Sequence, residues 1–394
     1  MQETEVVLVE GARTPLTAFC GSFRDVSAID LGAVAAQEAI KRAGITSEDV
    51  DNVVVGNVIQ SSSDAIYFAR HVGLKAGIPQ DVPALTVNRL CGSGLQAIVT
   101  AAQDIMLGHS EVALAGGAEN MSQVPHVVRG ARWGLPLGKG QLEDYLWESL
   151  YDPYGGCSMA ITAENLAEKY GITREQADQF AFNSHLRARR AMEKGYFKQE
   201  IVPVPVKDHK GREKVIDTDE HPRETTVDQL GKLSPRFKEE GIVTAGNASG
   251  INDGAAAVVL TSLHYAEKHD LRPLARLVAT GIVGVDPKIM GIGPVPAIKK
   301  ALKQANMTLE ELDLIEINEA FAPQYLACQK ELDFNPEIGN VNGGAVALGH
   351  PLAASGTRIT LSLVYELKRR NKKWGASALC IGGGQGIATI WEVF

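Results

Sequence analysis

Two cysteines and a histidine stand in this chain where reactive groups would be placed. Cys91 lies in Val87-Asn88-Arg89-Leu90-Cys91-Gly92-Ser93-Gly94, His350 in Gly349-His350-Pro351, and Cys380 in Cys380-Ile381-Gly382-Gly383-Gly384. A thiol within reach of an imidazole can act as a nucleophile, because the base removes the proton as sulfur attacks. Glycines after a strand, such as Gly382, can present backbone N–H groups to a developing anion. Asn318-Glu319-Ala320-Phe321 follows the apolar run Leu314 to Ile317, at a strand's C-terminal end, where open α/β sheets place ligands. Each residue also has a bland reading. A cysteine is often a small buried hydrophobe, and a lone histidine is more often structural than catalytic.

Behind Cys91 the pattern predicts a strand-to-helix turn. Val82 to Val87 reads as a buried strand, while Leu95, Ile98, Val99, Ala102, Ile105 and Met106 recur at helical spacing between Ser93 and Gly108. The free N–H groups of that helix would favour thiolate and lower the Cys91 pKa. Glycines 92 and 94 allow backbone or ligand to approach closely.

The loops bearing Cys91 and His350 are related by an internal repeat. Ala39 to Asp51 lies over Ala301 to Asp313 with six identities in thirteen, at an offset of 262. Ser93-Gly94 falls on Ser355-Gly356 at the same offset, and Val112 to Gly117 resembles Ala378 to Gly383 with four extra residues between. Three matches in order imply a duplicated unit of roughly 120 residues. Each unit reads helix, strand, strand, helix, strand, with Thr46 and Thr308 as caps of a short turn. Continuous apolar strands alternating with helices imply parallel-type strands buried on both faces. Val341 to Pro351 reads as the counterpart of the Cys91 strand, with a longer loop that carries His350. A pseudo-twofold arrangement of the halves would bring Cys91 and His350 to one crevice. The expected fold class is α/β, as duplicated α/β/α layered halves with an inserted loop domain. The expected divisions are 1–118 plus 249–270, the insertion 119–248, and 271–394.

Composition narrows the function. With 394 residues, 45% hydrophobic and 22% charged, the chain has ample core for two or three domains. A net charge of −8 argues against nucleic acid as a partner. No apolar run of about eighteen residues occurs, so no membrane partner is expected. Five scattered cysteines without C-x-x-C spacing argue against a disulfide scaffold or a metal site. The acidic Met1 to Glu5 is unlike a signal or transit peptide, which favours a bacterial cytoplasm, with the mitochondrial matrix as alternative. In the insertion, Thr173 to Gln176 forms a capping box. The insertion also carries Arg187, Arg189, Arg190, Lys194, Lys207, Lys210, Arg212, Lys214 and Arg223, read mainly as a solvated face of which a phosphate-bearing ligand would recruit a few.

The stretches around Cys91, Asn318, His350 and Cys380, together with Gly116-Gly117-Ala118-Glu119-Asn120-Met121-Ser122, resemble the thiolase family from Ala12 to Trp391. Gly56-Asn57-Val58 through Ala69-Arg70-His71, and Ala322-Pro323-Gln324-Tyr325, most resemble the 3-ketoacyl-CoA thiolases of mitochondria and their bacterial relatives. The resemblance implies thiolytic cleavage of a 3-ketoacyl-CoA to acetyl-CoA and a shortened acyl-CoA, and the reverse Claisen condensation, through an acyl-cysteine. It assigns Cys91 as nucleophile, His350 as its base, and Cys380 as the acid and base at the α-carbon. One oxyanion site would consist of His350 and a water held by Asn318, the other of the N–H groups of Cys91 and Gly382. Glu319 would orient polar neighbours. Coenzyme A and acyl-CoA enter as substrates, with no permanently bound cofactor, against Arg223, Thr225 (or its neighbour Thr226), Ser249, Met159 and Phe321. Related enzymes imply a homodimer or homotetramer. Acetoacetyl-specific members carry a histidine where this chain has Ser158, and usually methionine where it has Gln385, so longer substrates are expected. The alternatives are an acetoacetyl-specific biosynthetic thiolase, a decarboxylating condensing enzyme, which usually shows two histidines, and a non-catalytic thiolase-like scaffold.

Overall fold

Apolar runs alternating with amphipathic segments build this chain into strands covered by helices. The structure is a computed structural model that describes residues 4–207 and 211–394; Lys210 and the first three residues lie outside them. The first half comprises β1 (Val6–Arg13), α1 (Ala28–Ala43), β2 (Asn52–Gly56), α2 (Phe68–Lys75), β3 (Ala84–Val87), α3 (Ser93–Met106) and β4 (Val112–Asn120). Then come α4 (Met159–Tyr170) and α5 (Arg174–Glu193), followed by β5 (Asn252–Ser262). The second half comprises β6 (Ala275–Gly284), α6 (Pro294–Ala305), β7 (Leu314–Ile317), α7 (Ala322–Leu332), α8 (Ala345–Leu348), α9 (Leu352–Arg369), β8 (Trp374–Ile381) and β9 (Gln385–Val393).

The repeat is visible element by element. Helix α1 ends at Gly44 and α6 at Asn306, each left-handed and 262 residues apart. A short 3-10 turn follows each, with Thr46 N–H donating to Asp49 and Thr308 N–H to Glu311. The capping box at α5 forms as its sequence requires, Gln176 N–H donating to Thr173 Oγ1 and Thr173 N–H to Gln176 Oε1.

The strands run β3-β2-β4-β5-β1 in the first half and β6-β9-β8-β7 in the second, within one ten-stranded sheet whose tenth member, the two-residue Thr17–Ala18, pairs with β5. Only Val7 with Arg276 and Leu8 with Ala275 pair across the junction of the halves. Parallel pairing is confined to β2 with β3 and β4, and to β7 with β8. The remaining pairs are antiparallel, which corrects the expectation of parallel strands; the Gly382 to Gly384 turn is too short for anything but a hairpin between β8 and β9. A second correction concerns β3. It is an edge strand with Leu85 47% exposed, because nothing pairs beyond it. Its counterpart in the second half is no strand: one bridge joins Ile315 to Gly339, and the chain turns into α8. Gly343 at φ +77 turns the chain out of the extended conformation there, packed so closely that a Cβ on it would lie 2.5 Å from Ser184 O.

Alternating strand residues feed three cores. Helices α1 and α2 cover one face of the first half, α6 and α7 the outer face of the second, and α3 with α9 fill the space between. These two middle helices meet at glycine. A Cβ on Gly94 would lie 2.4 Å from Ala353 O, and one on Gly356 2.4 Å from Leu95 N. Larger residues would force the helices apart.

Candidate active site

The glycine crossing sets the two reactive loops side by side at the helix N-termini. Cys91 precedes α3, and His350 precedes α9. Both line a largely apolar cavity of about 520 Å³, together with Met121, Met159, Ser249, Met290 and Phe321. The crevice expected from the repeat is therefore present.

Local geometry fixes each group. Leu90 adopts φ +46, an uncommon conformation for a non-glycine residue, and turns the chain sharply into Cys91. The turn is held by Leu90 N–H donating to Asn88 Oδ1 (3.0 Å) and by Ser93, whose hydroxyl accepts from Arg89 N–H and donates to Leu90 O. Ser355, its repeat partner, does the corresponding work for the histidine. Ser355 Oγ donates to Pro351 O at 2.8 Å and lies 2.6 Å from His350 Nδ1. Its single proton is committed to the carbonyl, so Nδ1 carries the imidazole proton and Nε2 is bare. Asn318 Nδ2 faces that Nε2 at 3.4 Å, while Asn318 Oδ1 is buried without a protein partner. The loop is tied further by His350 N–H donating to Asn252 Oδ1, with Gly349 at φ +104 packed on the same side chain.

Electrostatics contradict one expectation. Burial pushes the Cys91 thiol up to about 11, and nearby Glu119 adds to this; the N–H groups of Gly382 and of Cys91 itself pull the other way without prevailing. The helix N-terminus therefore does not produce a resting thiolate: desolvation outweighs it. Burial, reinforced by Arg358, lowers His350 to about 3, so the imidazole is neutral. The resting site therefore holds a thiol and a neutral imidazole on one cavity. Cys380 is fully buried against Met159, Met290, Ala320 and Phe321 of the cavity wall, and burial, then the neighbouring Cys91, raises its thiol well above the ordinary range.

Of the other expected residues, Gly382 touches the site through its N–H, and Met159, Ser249 and Phe321 line the cavity. Arg223 and Thr225 do not line it. Arg223 is exposed, its N–H donating to His185 Nδ1, two residues beyond His221, which packs on Gly250 of the wall. Glu319 accepts from Ser184 Oγ, Asn340 Nδ2 and Val346 N–H, pinning the segment that leads to His350. Sequence reasoning missed the roles of Ser355, Asn252 and Glu119. Glu119 accepts from Val58, Ile59 and Ala353 N–H, the last at the start of α9, and burial raises it to about 7. The repeat already paired Ser355 with Ser93, and Glu119 lies in the Gly116 to Ser122 motif; Asn252 gives no such signal. Among the described residues no cluster of three histidines, cysteines or carboxylates could hold a metal, and no helix is long and apolar enough to cross a membrane.

Residues 6–264 match the family described as Thiolase, N-terminal domain, and residues 271–393 the one described as Thiolase, C-terminal domain. The chain is 54% identical over 389 residues to the mitochondrial 3-ketoacyl-CoA thiolase of Bos taurus, covering 98% of each sequence. It is 50% identical to the beta-ketothiolase BktB of Cupriavidus necator, covering 98% of this chain and 99% of that one. The solved structure of human mitochondrial 3-ketoacyl-CoA thiolase in complex with CoA superposes with a TM-score of 0.97 at 52% identity, covering 99% of this chain and 98% of that one.

Proposed function

Because the chain belongs to the thiolase family, we propose that it cleaves 3-ketoacyl-CoA with coenzyme A to acetyl-CoA and a shortened acyl-CoA, and runs the reverse condensation. The observation that carries this reading is that the His350 imidazole and the Cys91 thiol line one cavity, with Cys380 behind the adjoining wall.

The sulfur of Cys91 attacks the keto carbon as His350 Nε2 takes the thiol proton. The N–H groups of Cys91 and Gly382 receive the resulting alkoxide. His350, now bearing Nε2–H, joins a water held by Asn318 to stabilise the thioester oxygen of the departing enolate. One imidazole therefore serves as base and then as donor. The carbon–carbon bond breaks, Cys91 keeps the acyl group, and Cys380 gives its proton to the α-carbon. Coenzyme A then attacks the acyl-cysteine. Its thiol proton returns to Cys380, and Cys91 recovers its own from His350. Protonated thiols and a neutral imidazole are the resting states this sequence needs.

Coenzyme A enters where Arg236 and the stacked Trp147 and Phe237 rim the cavity, with Ser249, Met159 and Phe321 on its wall. Arg223 and Thr225 would meet it from outside that wall. We assign residues 1–118 with 249–270, and 271–394, to the two halves, and 119–248 to the insertion over the site. Homo-oligomer formation is supported by the open β3 edge with exposed Leu85 and neighbouring Ile66 and Tyr67, and by the exposed Trp133 and Leu137. Relatives come from mitochondria and bacteria, which fits a bacterial cytoplasm or a mitochondrial matrix. The deciding experiment is intact-mass analysis after incubation with acetyl-CoA. One acetyl group on Cys91, absent in Cys91→Ala together with all turnover, is expected; an acetyl group on the mutant, or on Cys380 in the wild type, would sink the assignment.

A further inference from the structure

On the flank of α5, away from the active-site cavity, lies a second cavity of about 570 Å³. We propose that it is a binding site for a small polyphosphate. Five cationic side chains line it: Arg187, Arg190 and Lys194 from the end of α5, and Arg369 and Arg370 from the end of α9. The opposing acids are Glu337, 80% exposed at the rim and held by Arg187, and the buried Glu366, which Arg369 and Arg370 share. Among the described residues Arg190 and Lys194 have no carboxylate partner. A chain of net charge −8 thus gathers an excess of positive charge into one concavity.

Two features separate this from a solvated basic face. The first is convergence: cations of two helices distant in sequence meet around one open concavity, when mutual repulsion would spread them. Each helix C-terminus offers only about half a negative charge, too little to balance five cations. The second is preorganisation. Arg187 donates to Gly339 O at 2.7 Å, and the Arg369 guanidinium lies 3.2 Å from the centre of the Tyr196 ring. Their rotamer entropy is largely spent before any ligand arrives. Fixed guanidinium groups suit phosphate oxygens, which they bind in pairs. The cavity shares no lining residue with the active site.

The test is calorimetric titration of the full-length protein with inorganic pyrophosphate at physiological ionic strength. Saturable binding at one site per chain is expected, weakened at least tenfold in the double variant R190E/K194E and unchanged in C91A. Turnover of acetoacetyl-CoA by R190E/K194E should match the wild type. No saturable binding, or equal affinity in the wild type and R190E/K194E, overturns the site. A rise in KM for coenzyme A in R190E/K194E would instead join these residues to the active site and overturn its separateness. Neither result would touch the acyl-cysteine reading, which C91A tests by itself.

Discussion

Replacing Ser355 with alanine tests whether the histidine's proton is placed by the fold. Ser355 touches neither the cavity nor Cys91; its hydroxyl accepts from His350 Nδ1 at 2.6 Å inside a buried loop. Without it the Nδ1–H is a buried donor lacking a partner, at a cost of about 1–3 kcal/mol. The imidazole can escape by moving its proton to Nε2, facing Asn318, but it then cannot accept the Cys91 proton. Either way, the reactive tautomer is reached only by meeting that cost. At about 1.4 kcal/mol per tenfold, the rate of Cys91 acylation should fall roughly 5- to 150-fold. The assay is kcat/KM for thiolysis of acetoacetyl-CoA, with single-turnover acylation by acetyl-CoA as the direct readout. KM for coenzyme A should stay unchanged, because Ser355 meets no ligand. A kcat/KM within twofold of wild type, with the variant folded, would refute the tautomer argument.

Three more outcomes are expected. Cys380→Ser should still be acetylated on Cys91 while condensation falls about 10²–10⁴-fold; equal loss of both steps would show the roles wrongly divided. Because burial lowers His350 to about 3, its base-competent form persists as pH falls, so the pH profile of kcat/KM should lack an acid limb near the ordinary value of about 6.5; such a limb that disappears in the His350→Gln variant would contradict a neutral buried imidazole. Finally, Ser158 and an apolar cavity leave room for substrate methylenes, each contributing up to about 0.8 kcal/mol. Three-ketohexanoyl- and 3-ketooctanoyl-CoA should therefore be cleaved with kcat/KM at least comparable to acetoacetyl-CoA, and a six-carbon substrate slower by a hundredfold would favour the acetoacetyl-specific alternative.

What the sequence makes legible here follows from what is local or repeated. The offset of 262 pairs Gly94 with Gly356 at the crossing of α3 and α9 and places Cys91 and His350 on one cavity, because duplicated elements pack alike. Strand direction is not legible in the apolar pattern, which implied parallel strands although β1, β5, β6 and β9 pair only antiparallel, since an apolar run looks the same whichever way its neighbour points. The Cys91 environment was misread for another reason. A helix N-terminus is visible in sequence, whereas burial beside Glu119 is a property of packed surroundings. The contribution of Asn252 to the His350 loop is equally tertiary, joining residues 98 apart.

The contact of α3 with α9 through Gly94 and Gly356 acts as a ruler. Where side chains separate two helices, spacing can drift by a rotamer change or be retuned by a single methyl group. Here backbone rests on backbone, so the gap between nucleophile and base has no adjustable spacer. Each half can vary its outer helices freely, yet neither glycine can change without displacing the other half's reactive loop. The two copies of the repeat are thereby locked into one gauge, whatever else their surfaces acquire.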